Sequence, residues 1–330
     1  MHRKLLDVLA CPQCGGVLTC TATETDDSTG EVHAGRLDCA SGTHQFPIEK
    51  SIPRFVPRDN YASSFGYQWN RFKLEQIDSA NGTKLSANRF YSETDWTKEW
   101  LKGKWVLDAG CGAGRFLDVA SDSEAEVVGL DISSAIDAAR ANLAGRTNVH
   151  FVQASIYDPP FRPGSFDGVY CIGVVQHTPD PQQTMQSLPG ILRSGGRIAI
   201  TAYERKLYTM LHAKYLLRPL TKRMEKQKLL IAIKTAMPFL FPLTSFLFRL
   251  PLLGPLFNRV IPVTNYVHEP DLTSRQRYDW AVLDTFDVLS PQYDQPRTQQ
   301  EVEEALTAAG VVELKRLPNS GVNIVGAKSK

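Results

Sequence analysis

The sequence has little net charge and, in its most apolar region, lacks an uncharged run long enough to span a bilayer. The formal net charge is only +2 over 330 residues, which argues against a uniformly basic nucleic-acid-binding protein. The longest uncharged run of that region, residues 235–248, is shorter than the roughly 20 residues that a spanning helix needs. Hydrophobic residues make up 42% of the chain, so a substantial core is available.

An export signal is also lacking in the first residues. They combine basic side chains with a Leu-Ala-Cys sequence, but the apolar part is too short for a lipoprotein signal and is interrupted by Asp7. We therefore expect a cytoplasmic protein. In a reducing compartment its six cysteines are expected to be metal ligands or buried thiols and not a disulfide framework.

Three alternating glycines follow an apolar strand predicted at 104–109. Gly110, Gly112 and Gly114 let the backbone turn tightly, and the free N–H groups of the helix after them face a ligand. A second strand ends at Asp131, about 20 residues later, the separation expected for a carboxylate that contacts ribose hydroxyls. Together these signals predict a site for a nucleoside-containing ligand.

Asp108, two residues before the first glycine, narrows the class of ligand that can bind there. The turn reads Asp-x-Gly-x-Gly-x-Gly and not Gly-x-Gly-x-x-Gly, and Asp108 at the strand end would repel a pyrophosphate. A cationic ligand fits better. S-adenosylmethionine carries an ammonium and a sulfonium group, which a carboxylate attracts.

With these motifs the chain resembles the class I S-adenosylmethionine-dependent methyltransferases, in particular the methyltransferase type 11 group. The resemblance spans residues 85–203 and the C-terminal tail, and it includes the ordered segments 166–171, 177–181 and 192–198. It implies cofactor contacts at Asp108, Gly110, Gly112, Gly114 and Asp131. Relatives usually have an acidic residue after the third strand, and Ser155 or a backbone group would replace it here.

The alternation of strand and helix from Lys104 onward predicts an α/β fold with a parallel sheet covered on both faces. Further strands are expected at 125–131, 148–152, 166–172 and 195–202, with helices at 114–121, 133–144 and 181–193. A last helix opens at Thr298 and ends at Gly310, and strands at 311–317 and 322–327 would be the antiparallel pair typical of the family. The resemblance thus implies a Rossmann-like, doubly wound, seven-stranded sheet. We divide the chain into a zinc ribbon (1–57), a methyltransferase core (58–204), a helical insertion (205–296) and the end of the core (297–330).

Two residues are candidates for the chemistry. His177 follows the fourth strand at the edge where open α/β sheets bind ligands, and its imidazole can accept a proton from a hydroxyl. The alternative is that His177 only fixes its loop together with Thr178. Tyr203, at the end of the fifth strand, is the second candidate. Nine aromatic residues between 58 and 103 are expected chiefly to pack helices on the sheet, and alternatively to stack on adenine.

Residues 1–57 contain a cysteine and histidine pattern typical of tetrahedral zinc. Cys11, Cys14, Cys39 and His44 supply four ligands, with Cys20 as the competing fourth ligand. The stretch resembles the Trm112-like zinc ribbons that are fused to or partnered with some methyltransferases. Four protein ligands leave no open position, so we expect the zinc to be structural, in a unit whose core is separate from that of the sheet.

The insertion is strongly basic and then apolar. Residues 205–268 contain eleven Lys and Arg against one acid, Glu225, which is a local charge of +10. Apolar stretches follow closely, broken by prolines. This composition favours helical hairpins that lie on a membrane surface or cover an apolar substrate tunnel, and an ordinary helical lid explains it equally well.

Three functions remain open from the sequence. The first is a methyltransferase that acts on an apolar or lipid-linked small molecule, in the cytoplasm or at the inner face of the membrane. The second is an RNA methyltransferase, since the ribbon resembles the zinc domain of ribosomal RNA guanine methyltransferases. No Asn-Pro-Pro-Tyr motif follows the fourth strand, so nucleic acid is the less favoured partner. The third is a catalytically silent scaffold.

Overall fold

The computed structural model describes residues 1–57 and 60–330. The expected boundary between ribbon and core falls at Arg58, which lies outside the described residues. Strand and helix boundaries follow the sequence pattern closely in the part that was expected to form the sheet.

A four-stranded antiparallel sheet forms the N-terminal unit. Its strands are adjacent in chain order and comprise β1 (Leu18–Thr25), β2 (Val32–Cys39), β3 (Gln45–Glu49) and β4 (Ile52–Pro53). The hairpin between the first two strands is closed by Asp26, whose carboxylate accepts backbone N–H groups of Ser28 and Thr29, both at 2.9 Å. Gly30 follows with a φ of +70°, as such a tight turn requires.

A seven-stranded sheet forms the second unit. Its strands are β5 (Trp105–Ala109), β6 (Glu126–Asp131), β7 (Val149–Gln153), β8 (Phe166–Ile172), β9 (Leu192–Ala202), β10 (Val311–Arg316) and β11 (Val322–Lys328). Their order is β10-β11-β9-β8-β5-β6-β7, and β11 is antiparallel to both of its neighbours. The other adjacent pairs are parallel. The predicted doubly wound seven-stranded sheet is thus confirmed.

Twelve α-helices surround the sheets in the described part of the chain. Four precede the large sheet: α1 (Ser63–Arg71), α2 (Asp78–Asn81), α3 (Leu85–Thr94) and α4 (Lys98–Leu101). Eight follow its first strand: α5 (Arg115–Ser121), α6 (Ala135–Asn142), α7 (Pro181–Ser187), α8 (Ala213–Thr221), α9 (Lys226–Leu247), α10 (Gly254–Val260), α11 (Ser274–Leu289) and α12 (Gln299–Ala308). Thr298 begins α12 with a capping box, because its hydroxyl accepts the N–H of Glu301 while the Glu301 carboxylate accepts the N–H of Thr298.

One predicted helix is shorter than expected. Asp180 caps α7 by accepting the N–H of Gln183 at 3.0 Å, and Pro181 occupies the first turn, where its missing N–H costs nothing. The helix ends at Ser187 and not at 193. Pro189 lies in the single 3₁₀ turn that follows, and β9 then begins at Leu192.

The ribbon does not have a core of its own, which corrects the sequence-based expectation. Buried apolar side chains of both units form one continuous cluster, from Leu5 and Leu37 in the ribbon to Val128 and Val152 in the large sheet. Leu9 is bridged to Phe161 through the backbone. The reason is that the ribbon is too small to bury all of its apolar residues and packs them on the larger sheet.

The insertion leaves and rejoins the core at one place. Glu204 and Arg297 form an isolated backbone bridge, and the N–H of Arg205 donates to the carbonyl of Arg297 at 2.8 Å. Helix α9 packs on α11, and one apolar cluster includes residues of both helices. With 22 residues, α9 is long and apolar enough to cross a membrane by length and composition alone. The uncharged run at 235–248 had suggested a shorter element, because it omits the first turns from Lys226 onward.

Candidate cofactor cleft and cysteine–histidine cluster

A cavity of about 290 Å³ lies at the carboxyl edge of β5, β6 and β8, where parallel strands expose their ends. Its walls come from the glycine turn after β5, the end of β6, the loop after β8, the helix α1 and the insertion. Of the residues singled out in the sequence, Gly110, Gly112, Asp131, His177 and Tyr203 line it. The fold therefore brings together five predicted residues that are spread over 94 positions.

The glycine turn is shaped by close contacts as well as by its dihedral angles. Gly110 and Gly112 have φ values of +90° and +54°. A Cβ at Gly110 would lie 2.5 Å from a methyl group of Val174, and one at Gly112 would lie 3.1 Å from Nε1 of Trp69. Side chains at either position would strain the backbone and push apart the walls of the cavity.

Asp131 is fixed toward the glycine turn by three donors. The backbone N–H of Gly112 donates to Oδ2 at 2.9 Å. The backbone N–H and the hydroxyl of Ser133 donate to Oδ1 at 2.8 and 2.7 Å. Burial raises the pKa of this carboxyl, and the three donated hydrogen bonds partly offset that rise. The carboxylate is thus held rigidly at the cavity wall with capacity for further hydrogen bonds.

Three other predicted cofactor residues, Asp108, Gly114 and Ser155, are not among the residues that line the cavity. Asp108 is buried within β5, and its Oδ2 has no hydrogen-bond partner among the described residues. Burial raises the pKa of Asp108 well above its usual range. Gly114 starts α5 with a φ of +90°, and a Cβ there would lie 3.0 Å from Leu143. The Ser155 hydroxyl accepts the N–H of Tyr157 at 3.1 Å. Direct cofactor contacts of these three residues remain predictions.

Aromatic residues divide between the two roles expected for them. Tyr61, Phe65 and Trp69 line the cavity from the segment that contains α1. Others pack: Phe90 and Trp96 are fully or almost fully buried, with ring centroids 6.2 Å apart. The helical segment before the sheet therefore both covers the sheet and supplies flat apolar walls to the cavity.

His177 is held in one orientation at the cavity wall. Its Nδ1 lies 3.0 Å from the carbonyl oxygen of Tyr293, and because a carbonyl can only accept, Nδ1 carries the proton. In the neutral ring Nε2 is then the acceptor. The ring packs between Phe65 and Tyr203, with centroid distances of 5.2 and 5.4 Å. His177 thus ties its loop to Tyr293 and also borders the cavity, and its role as a proton acceptor remains a prediction.

The insertion contributes polar residues to the cavity that the sequence did not place. Tyr266, Asp284 and Asp287 line it, opposite Gln76 and Arg115 from the core. The Tyr266 hydroxyl donates to the Asp284 carboxylate. The acidic run at 284–287 is visible in the sequence, but its position depends on the packing of α11 against α8 and α9 and against the distant α1.

Burial shapes the charges in this polar part of the cavity. It raises the pKa of Asp284 to about 7, with a further contribution from the charge of Asp287. It lowers the pKa of Arg115 to about 10, as does the charge of Arg89. Arg115 is held by Ser86 and Gln76, whose oxygens accept from it at 2.9 and 3.0 Å. Asp284 is therefore one group in the cavity that can exchange a proton near neutral pH.

The ribbon gathers one histidine and three cysteines at its end. The ligand atoms of Cys11, Cys14, Cys39 and His44 all lie within 4.8 Å of one another. Cys11 Sγ is 3.4 Å from His44 Nδ1, and Cys14 Sγ is 3.4 Å from Cys39 Sγ. The sequence had left Cys20 as an alternative ligand. Cys20 lies instead on β1, opposite Leu37, and is not part of the cluster.

This cluster fits a tetrahedral metal ion. Zinc–sulfur bonds of about 2.3 Å imply sulfur–sulfur separations of about 3.8 Å, close to those found here. A Cβ at Gly16 would lie 2.9 Å from Cys39 Sγ, so the chain passes the cluster where only glycine fits. The Ser41 hydroxyl donates to Cys39 Sγ at 3.2 Å and lowers the pKa of that thiol to about 6. The lowered pKa favours a thiolate at Cys39, whereas burial raises the pKa of the Cys11 thiol.

Comparison with known proteins supports the resemblance to methyltransferases for part of the chain. Residues 107–200 match the family model described as a methyltransferase domain. A ubiquinone biosynthesis O-methyltransferase of Coxiella burnetii is 31% identical over 161 residues, which are 47% of this chain and 66% of that protein. Its namesake in Aromatoleum aromaticum is 32% identical over 130 residues, covering 37% and 55%. The chain thus spans less than two thirds of the length of these relatives.

A solved structure is also similar to the chain. A complex of the Haloferax volcanii Trm112 methyltransferase activator with a methyltransferase aligns with a TM-score of 0.46 at 15% identity. The alignment covers 81% of this chain and 98% of that one. The family match confirms the resemblance that was predicted from the glycine turn and the motifs after it.

Proposed function

We propose that this chain, which contains a methyltransferase domain at residues 107–200, transfers the methyl group of S-adenosylmethionine to an apolar or lipid-linked small molecule. The observation that supports it most is the composition of one cavity. Its cofactor side is formed by Gly110, Gly112 and Asp131, and its other side by Tyr266 and Asp284 of the insertion. A cofactor site and an acceptor site would then be adjacent, as methyl transfer requires.

The cofactor side suits a nucleoside with a cationic tail. Asp131 would accept hydrogen bonds from ribose hydroxyls, and the bare backbone at Gly110 and Gly112 would lie under the methionine part. Phe65 and Trp69 offer flat surfaces for the adenine ring. When bound, S-adenosylmethionine supplies an activated methyl group, so the protein mainly has to orient the acceptor and exclude water.

The chain's own residues would then handle the acceptor. His177 lines the cavity, and the tautomer that donates Nδ1–H to the Tyr293 carbonyl would leave Nε2 as a hydrogen-bond acceptor. Asp284 can exchange a proton near neutral pH. Either group could hold a proton released by a hydroxyl acceptor. The names of the relatives, O-methyltransferases of ubiquinone biosynthesis, support a hydroxyl on an apolar molecule as the acceptor.

We also propose that the cluster of Cys11, Cys14, Cys39 and His44 holds a structural zinc ion. Four protein ligands would close the coordination shell, so the metal would stabilise the ribbon without entering the reaction. The ribbon shares its buried core with the large sheet, and the zinc would therefore stabilise both units.

The test uses S-adenosylmethionine labelled in its methyl group. Purified full-length protein is incubated with the cofactor and either a total bacterial lipid extract or total RNA from the same cells. Label that appears in the organic phase and is lost in Asp131→Asn supports the proposal. Label in RNA alone would replace it with the RNA alternative. Calorimetry that detects no binding of S-adenosylmethionine would refute a catalytic role altogether.

A further inference from the structure

Most exposed apolar side chains of the molecule lie in one segment of the insertion. Among the described residues 17 large hydrophobic side chains are exposed, and 14 of these lie between 205 and 262. We call them the apolar face: Leu207, Tyr208, Leu211, Leu216, Leu217, Leu220, Ile231, Phe239, Leu243, Phe246, Leu252, Leu253, Leu256 and Val260. An excess of exposed apolar side chains in one segment of the chain favours an interaction site in that segment.

Helix α8 is oriented with its leucines outward and its polar side chains inward. Leu216 and Leu220 are 78% and 67% exposed, whereas Arg218 is 6% exposed. The Arg218 guanidinium donates to the carbonyls of Val288 and Pro291 at 3.0 and 2.9 Å. A helix on a water-exposed surface has the opposite arrangement. The outer side of α8 is therefore suited to an apolar environment.

Helix α9 is apolar on both sides. Its inner side, with Leu229, Ile233 and Met237, belongs to a buried cluster that also contains residues of α11. On its outer side Phe239 and Phe246 are 78% and 66% exposed. Helices that are apolar all round are normally enclosed, but only 28% of the most apolar stretch of α9 is buried within the protein.

The cations of the insertion fall into two groups. Some make contacts within the protein: Lys214 pairs with Asp294 at 2.8 Å, and Lys226 donates to the carbonyl of Ser290 at 2.9 Å. Others are exposed and have no carboxylate partner within the described residues, namely Arg223, Lys234, Arg249 and Arg259. The one acid between 205 and 268, Glu225, pairs with Lys228. The segment that contains the apolar face therefore carries four exposed cations without a carboxylate partner in the described part of the chain.

We infer that the apolar face docks on an anionic lipid bilayer. Its leucines and phenylalanines would enter the boundary between headgroups and acyl chains, while the unpaired cations contact the headgroups. A second copy of the chain fits poorly, because a two-fold interface would place the same cations against one another. RNA fits poorly as well, since an aliphatic surface offers it neither charge nor stacking.

A second cavity extends from the apolar face to the cofactor cavity. Its volume is about 1370 Å³, and Lys206, Tyr208 and Arg259 line its outer part, next in sequence to Leu207 and Val260 of the apolar face. Seven residues line both cavities: Arg89, Arg115, Gly173, Tyr203, Thr264, Tyr266 and Val288. If the proposed function holds, this is the path by which an acceptor leaves the bilayer for the active site. The docking itself does not depend on methyl transfer.

The experiment measures binding of the full-length protein to vesicles by flotation. Vesicles of phosphatidylcholine with 30% phosphatidylglycerol are compared with phosphatidylcholine alone, at low and high salt. The charge variant Arg223→Glu/Lys234→Glu/Arg249→Glu should bind the anionic vesicles at least about a hundredfold more weakly, since the loss of each cation alone costs about fivefold and each glutamate adds repulsion. The apolar variant Leu216→Ser/Leu220→Ser/Phe239→Ser/Phe246→Ser should lose the part of the binding that survives high salt.

A matched control carries the same charge change elsewhere. Arg3→Glu/Lys84→Glu/Lys98→Glu alters three exposed cations outside the 205–262 segment that likewise have no carboxylate partner within the described residues, and should bind like the wild type. All variants should keep their affinity for S-adenosylmethionine in calorimetry, which shows that the fold is intact.

Absence of wild-type binding to anionic vesicles at low salt would overturn the inference. So would complete loss of binding at high salt, or equal loss in the control. If vesicles do not bind while lipid-extract components are still methylated, the docking surface is wrong and the proposed function stands.

Discussion

The guanidinium of Arg54, at the end of the ribbon, lies 2.7 Å from the carboxylate of Asp137 on α6. Arg54 also donates to Oε1 of Gln153 on β7 at 2.6 Å, and it is only 6% exposed. A buried cation with two partners on the other unit fixes the angle between the ribbon and the large sheet.

Removing that cation should destabilise the whole chain. Arg54→Met leaves the Asp137 carboxylate and the Gln153 carbonyl partly buried without their donor, which typically costs about 3–5 kcal/mol. The measurement is the free energy of unfolding in urea. Arg36→Met removes an exposed arginine paired with Asp38 in the same ribbon, and should change stability by less than about 1 kcal/mol. Equal effects of both substitutions would contradict the role assigned to Arg54.

Asp131→Asn should weaken binding of S-adenosylmethionine by roughly 10- to 100-fold, because a charged acceptor for hydroxyl donors becomes neutral. The asparagine oxygen can still accept the N–H of Gly112, so the turn should keep its shape. Calorimetry gives the affinity, and Asp27→Asn in the exposed ribbon hairpin is the control. Unchanged affinity in the folded variant would refute the ribose assignment.

Cys14→Ser should abolish zinc binding and lower the melting temperature of the entire protein, since both units share one buried core. Cys20→Ser is the matched control and should keep a full equivalent of zinc, because Cys20 lies outside the cluster. Elemental analysis together with calorimetric melting tests both statements. Protein purified without chelators that contains no zinc would show the metal assignment to be wrong.

Asp284 should make stability depend on pH. Its pKa is about 7 in the folded chain against an ordinary 3.8, so the folded state holds a proton that the unfolded state has released. The contribution of Asp284 to the free energy of unfolding should therefore be greatest near pH 4 and fall up to about pH 7, at about 1.4 kcal/mol for each unit of pKa difference.

Asp284→Asn should reduce the fall in stability between pH 4 and pH 7, because the amide does not titrate. Asp279→Asn, on the same helix but paired with Arg275 at the surface, should leave it unchanged. Urea midpoints measured at several pH values between 4 and 8 provide the comparison. An identical slope in wild type and Asp284→Asn would exclude Asp284 as its source.

The large sheet could be predicted because the sequence features that indicate each strand lie within that strand and the turns beside it. Each strand is a short apolar run bounded by turns, and the segment 166–172 has the same limits in sequence and structure. The glycine turn and Asp131 are likewise adjacent to predicted strands, so their meeting at one edge follows from the parallel arrangement.

The acceptor side could not be predicted because it depends on distant contacts. Asp284 reaches the cavity only because α11 packs against α1 and α9, and nothing in its neighbouring sequence shows this. The charge count of the insertion overstates the number of exposed cations for a similar reason. Lys214 and Arg218 looked like surface cations, but both are turned toward the buried Asp294.

The position of the last strand has a consequence for synthesis on the ribosome. β11 lies between β9 and β10, yet it is the last of the three to be made. Until residue 328 has left the exit tunnel, the edge of β9 is unpaired and the apolar face has already emerged. Chains released early would display an open strand edge beside exposed leucines, a combination that promotes aggregation. Truncation within the final strand should therefore reduce the yield of soluble protein far more than loss of a few terminal residues normally does.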